Sequence, residues 1–137
     1  MEILSAGAAK SREYNHGLLI FPEGTRYTKV ADYPKEYQRL LKPRTVGFQS
    51  VIKSIIDPAL SEEALTHTKV PVLDITLRYS DGEHGAWDFL RGKAGRVYVY
   101  SETHYVTLAE AKPWLLETWV KKDQWLVEER FPGEATD

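Results

Sequence analysis

Gly17-Leu18-Leu19-Ile20-Phe21 is a continuously apolar run closed at once by Pro22 and Gly24. A short run bounded by turn residues fits a strand buried on both faces, and such strands lie inside α/β sheets. It therefore calls for neighbours, and the rest of the chain supplies candidates. Phe48, Val51, Ile52, Ile55 and Ile56 recur at helical spacing, which predicts an amphipathic helix over 45–56 that ends at Asp57-Pro58. Residues 70–77 read as a second strand, with Pro71 tolerable only at its first residue, and residues 96–100 as a half-buried strand near an edge. Gly82, Gly85, Gly92 and Gly95 mark a loop or loose hairpin between those two strands, anchored by Trp87, Phe89 and Leu90. Pro113 suits the first residue of a helix, along which Leu115, Trp119, Lys122 and Leu126 form a stripe until Phe131-Pro132-Gly133 stops it.

The fold class is thus α/β: a partial mixed sheet of three or more strands with flanking helices, in one domain over 1–137. Sixteen residues precede Gly17, too few to place strands on both sides of it, so the expectation is the C-terminal part of a larger domain. With 137 residues there is room for one core. Lys and Arg total 18 against 20 Asp and Glu, so no global field draws nucleic acid, and an anion site has to be local. The absence of cysteine excludes a disulfide framework, a thiol nucleophile and a thiolate metal site. No apolar run approaches the roughly 20 residues of a membrane span, and the first residues lack the pattern of a secretory signal, so a cytosolic setting is expected. The four histidines show no metal-ligand spacing, so no metal site is expected, and neither a nucleophile elbow nor a phosphate-binding Gly-rich loop with Lys-Ser/Thr occurs.

Chemistry concentrates in Phe21-Pro22-Glu23-Gly24-Thr25-Arg26, at the carboxyl end of the apolar run, where open α/β sheets bind ligands. Gly24 permits a close turn, Thr25 brings a hydroxyl, and the planar Arg26 guanidinium can pair bidentately with phosphate. Glu23 cannot attract an anion; beside Arg26 it serves to orient the guanidinium or to accept from a hydroxyl. Lys42 and Arg44, on either side of Pro43, offer a second basic lip. On residue chemistry alone these groups read either as an anion cradle or as solvated turns. Trp119 belongs to the apolar stripe, which leaves Trp114 and Trp125 as candidates for a membrane interface.

The six-residue string from Phe21 to Arg26 resembles the third signature block of the lysophospholipid acyltransferases, the 1-acylglycerol-3-phosphate acyltransferase family. The strand from Val70 stands where that family has its fourth block, an apolar strand with a proline. Lys42-Pro43-Arg44-Thr45-Val46-Gly47-Phe48 and the tryptophan-bearing C-terminal helix are similar to the lysocardiolipin acyltransferase-like branch, and the likeness extends from about Gly17 to Phe131. The resemblance implies that Arg26 contacts the phosphate of an acyl acceptor while Glu23 and Gly24 shape the pocket. It further implies transfer of an acyl group from acyl-CoA or acyl carrier protein to a lysophospholipid at a membrane surface on the cytosolic face, without metal or organic cofactor.

The family's first block, Asn-His followed after four residues by Asp, supplies the base for that chemistry. In this chain the residues five beyond His16, His67, His84 and His104 are Phe21, Val72, Phe89 and Ala109. Asn15-His16 starts like the block, but no carboxylate follows, and residues 1–14 hold no match to the second block. No catalytic residue is therefore assigned, and this chain alone is expected to be inactive. The alternative is a non-catalytic α/β module that binds an anionic lipid or a protein partner.

Overall fold

The computed structural model describes residues 10, 17–24, 36–80, 91–93 and 95–133. Helix α1 (Thr45–Ile55) is followed by a short α2 (Glu62–His67), strands β1 (Val70–Tyr79) and β2 (Val97–Val106), and α3 (Ala111–Val127). The strands form a two-stranded antiparallel sheet in a register that runs from Val70 opposite Val106 to Tyr79 opposite Val97. Helices and sheet together agree with a mixed α/β composition. The third strand expected of the sheet is not found among the described residues.

Local signals explain the elements. The α1 stripe buries Phe48, Val51, Ile52 and Ile56 as its spacing predicts, and Asp57 ends it by accepting from the Ala59 N–H at 2.9 Å. Ser61, whose hydroxyl accepts from the Ala64 N–H at 3.3 Å, starts α2 with Glu62 and Glu63 in its first turn. Ahead of α3, Thr107 and Glu110 clasp each other: the Thr107 hydroxyl donates to the Glu110 carboxylate at 2.8 Å and accepts from the Glu110 N–H at 3.3 Å. That clasp starts the helix before Pro113, which sits third rather than first. Its missing N–H is harmless there because the first turn has no intrahelical acceptors to fill. Pro71 is likewise second in its strand, tolerated because each strand of a two-stranded sheet turns part of its N–H groups away from the ladder.

The core gathers Phe48 and Ile52 of α1 with Ile56 just after it, Val70 and Val106 at one end of the hairpin, and Ala111, Leu115 and Trp119 of α3. At the other end, Tyr100 meets Trp125 and Phe131 with ring centroids 5.0 and 5.7 Å apart, and the Arg78 guanidinium lies 4.2 Å from the Tyr98 ring centre. Asp74, Thr76 and Arg78 lie on the β1 face covered by α3, whereas Leu73, Ile75, Leu77 and Tyr79 on the other face are 41 to 61 % exposed.

The apolar run at Gly17 to Phe21 corrects the first expectation. It is not a strand: Leu19 is 75 % and Phe21 78 % exposed, with Ile20 packed on the edge of the core. Neither β1 nor β2 hydrogen-bonds to it in the sheet, and an apolar run without a ladder partner lacks what buries a strand on both faces. The hairpin anchors Trp87, Phe89 and Leu90 lie outside the described residues. Trp114 and Trp125 are part of the internal packing, Trp114 stacked 5.6 Å from Phe48 and Trp125 against Tyr100. Among the described residues no helix is long and apolar enough to cross a membrane.

Candidate functional site

The turn at 22–24 is tied to the segment that enters α1. Gly24 N–H donates to the Phe21 carbonyl at 2.9 Å, which closes the turn, and Arg44 N–H donates to the Pro22 carbonyl at 2.7 Å. Gly24 has φ +67°, and a Cβ built on it would stand 2.9 Å from both Cδ and Nε of Arg44. The arginine side chain thus lies across the glycine, which carries a backbone conformation and a close approach that a larger residue would resist. Arg44 is also the residue that precedes the first turn of α1, where backbone N–H groups point outward.

Glu23 points the other way. Its carboxylate accepts from the Leu41 N–H at 2.9 Å, and the Leu41 carbonyl accepts from the Trp119 indole N–H at 2.8 Å. Just upstream, the buried Asp123 carboxylate accepts from the N–H groups of Gln38, Arg39 and Leu40 at 2.9, 2.7 and 3.0 Å. Three consecutive amides converging on one carboxylate make a charge-assisted clamp, so α3 holds the backbone of 38–41 in place. Burial pushes the Glu23 carboxyl above its ordinary value, opposed by the Leu41 hydrogen bond and by the charge of Lys122.

Behind Glu23 is a cavity of about 180 Å³ between the turn, the residues Ile75 to Leu77 of β1, and α3. Phe21, Glu23, Leu40, Thr76, Trp119 and Lys122 line it. Lys122 is 5 % exposed; its ammonium pairs with the Asp74 carboxylate, donates to the Ile75 carbonyl at 3.3 Å, and stands 5.1 Å from the Trp119 ring centre. Thr76 is 6 % exposed and its hydroxyl has no hydrogen-bond partner among the described residues.

Of the residues expected to form the site, the structure brings together Gly24 and Arg44, whereas the Glu23 carboxylate, expected to orient a guanidinium or to accept from a hydroxyl, turns away to the Leu41 N–H. Lys42 is elsewhere: its ammonium pairs with Glu36 at 2.7 Å in solvent. Thr25 and Arg26 lie outside the described residues. Among the described histidines, His104 is 3.4 Å from Glu102 and packs on Trp114, His67 ends α2, and neither lines the cavity. The described residues contain no cluster of metal-ligating side chains. Sequence reasoning missed Thr76 and Asp123. Thr76 carried one faint signal, a polar residue inside an apolar run, while Asp123 carried none because a carboxylate beside Lys122 reads as an exposed helix face. No family model, curated protein or solved structure matches the chain.

Proposed function

We propose that this chain is the acceptor-binding portion of a lysophospholipid acyltransferase-type protein and holds the phosphate of an anionic lysophospholipid at the 22–24 turn. The observation that carries the reading is the Arg44 side chain laid across Gly24 at the start of α1, which puts a guanidinium beside a glycine turn. Such a constellation favours a phosphate through charge-assisted hydrogen bonds. Arg26, two residues on, would add the second fork that the Phe21 to Arg26 string implies, with Thr25 as a hydroxyl donor. The acyl donor, acyl-CoA or acyl carrier protein, and the membrane surface that presents the acceptor belong to the same reading. No histidine in the chain has the Asp spacing of the family's catalytic block, so the proposed role is binding without turnover.

The test is binding of lysophosphatidic acid, with monoacylglycerol as the uncharged control. Arg44→Ala is expected to weaken lysophosphatidic acid by roughly one to two decades, with Arg44→Lys in between and monoacylglycerol unaffected. Equal affinity of wild type and Arg44→Ala for the phosphorylated lipid would overturn the phosphate role, and acyl transfer from acyl-CoA by this chain alone would overturn the binding-only role.

A further inference from the structure

A sheet with one face in water turns its polar residues to that face and its apolar residues to the core. The hairpin of β1 and β2 is arranged the other way round. The face turned to α3 carries Asp74, Arg78, Glu102 and His104, whereas the opposite face, made of every second residue over 71–79 and 97–105, holds no charged side chain and no histidine. Seven large apolar residues stand on it, Leu77 opposite Val99 among them, and all are 41 to 66 % exposed. Together they present on the order of 700 Å², above the roughly 300–600 Å² of the largest patch on a typical monomer.

We infer that this face is the contact of a symmetric dimer, in which a second copy of the chain lays the same sheet face on it. Two observations select that occupant. Packing two copies face to face would remove about 1,400 Å² from water, inside the roughly 1,200–2,000 Å² of specific interfaces. A two-fold axis also sets residues near it against their own copies, which a charged face would resist by like-charge repulsion and this uncharged face permits. A lipid surface fits less well, because the face has no Lys or Arg to meet anionic headgroups. The dimer is independent of the turn where Arg44 lies across Gly24 and stands whether or not that turn binds phosphate.

The experiment reads the mass of the full chain by light scattering against concentration. Wild type is expected to rise saturably from one chain mass to two in the micromolar range, with no larger species. The chain holds no cysteine, so a single introduced thiol reports on its own surroundings. The Ser101→Cys thiol, at the centre of the face opposite Ile75, is expected to react with a maleimide at least tenfold more slowly in the dimer than in the dilute monomer. Glu117→Cys on α3, at a side chain 70 % exposed, should react alike at both concentrations. Val99→Glu is expected to weaken dimerisation at least tenfold, since it puts a carboxylate from each copy into one apolar contact, and Val99→Leu should retain it. A single chain mass at every concentration, growth beyond two chains, or equal protection of the two thiols would overturn the assignment. Attachment of wild type to phosphatidylcholine vesicles that Val99→Glu abolishes, with no rise in mass in their absence, would overturn it in favour of a lipid surface. If Val99→Glu fails to fold, the contrast between the two thiols decides.

Discussion

Glu23 shows how one side chain is asked to do two things. As a carboxylate it accepts from Leu41 N–H and helps hold the 38–41 backbone; as a partly buried charge it is disfavoured, and its proton affinity is raised. The sign of the resulting pH dependence follows. A carboxyl that keeps its proton longer in the folded state than in the unfolded chain contributes stability at low pH, and the contribution is lost as pH rises from about 4.5 through the folded value. Glu23→Gln keeps an oxygen for the Leu41 N–H and removes the charge. Its melting temperature is expected to match wild type near pH 4 and to equal or exceed it at pH 7, a gap that thermal melts at the two pH values will read. A variant less stable than wild type at pH 7 would show that the hydrogen bond outweighs the burial of the charge. At the same scale Arg44 and Lys42, two positions apart and both cationic, have different fates, one against Gly24 and the other held by Glu36 in solvent.

At the scale of elements, α3 does more than fill the core. Leu115 and Trp119 bury hydrocarbon, but Asp123 clamps three amides of the segment before α1, and Lys122 reaches across to Asp74 on β1. A nearly buried ion pair is costly to break from one side, because the remaining charge is left without a partner. Lys122→Met alone is expected to destabilise by about 3–5 kcal/mol, whereas Lys122→Met with Asp74→Leu should recover most of that loss. Denaturant unfolding of the two single variants and the double variant measures the coupling, and strictly additive effects would show that the pair is not coupled. This stripe is legible in the sequence, because spacing alone puts Leu115, Trp119, Lys122 and Leu126 on one helical face. What spacing did not convey is that the lysine in the stripe faces a carboxylate on the inner side of a strand.

For the whole molecule the notable feature is a sheet covered on one face. α3 lies over the face that carries Asp74, Thr76 and Arg78, and the opposite face presents Leu73, Ile75 and Leu77 from β1 with Val97, Val99 and Tyr105 from β2, all between 41 and 66 % exposed. Among the described residues no third strand joins the sheet, and an exposed apolar sheet face promotes association between molecules. The chain is therefore expected to self-associate with rising concentration in sedimentation velocity. Leu73→Lys with Val99→Lys should reduce that tendency while changing unfolding free energy by no more than about 0.5 kcal/mol per site. A wild-type chain that stays monomeric at high concentration would sink the expectation.

The sequence by itself determined α1, α3, β1 and the first residues of β2, because helical and strand periodicities are local properties of side-chain order; Ser101 to Val106, expected outside the strand, extend β2 because they pair with Val70 to Ile75. It also located the turn at Glu23 and Gly24 through its glycine and proline. Tertiary structure decided the rest. Residues 73–78 alternate apolar and polar, which states that two faces differ without stating which is inward, and the inward choice follows from the Lys122 and Asp74 pair and the position of α3. The run from Gly17 to Phe21 has the composition of an interior strand, yet a strand is defined by hydrogen bonds to another strand, and none among the described residues lies beside it. Composition sets what a segment can bury; only the neighbours that the fold brings to it set what it does bury.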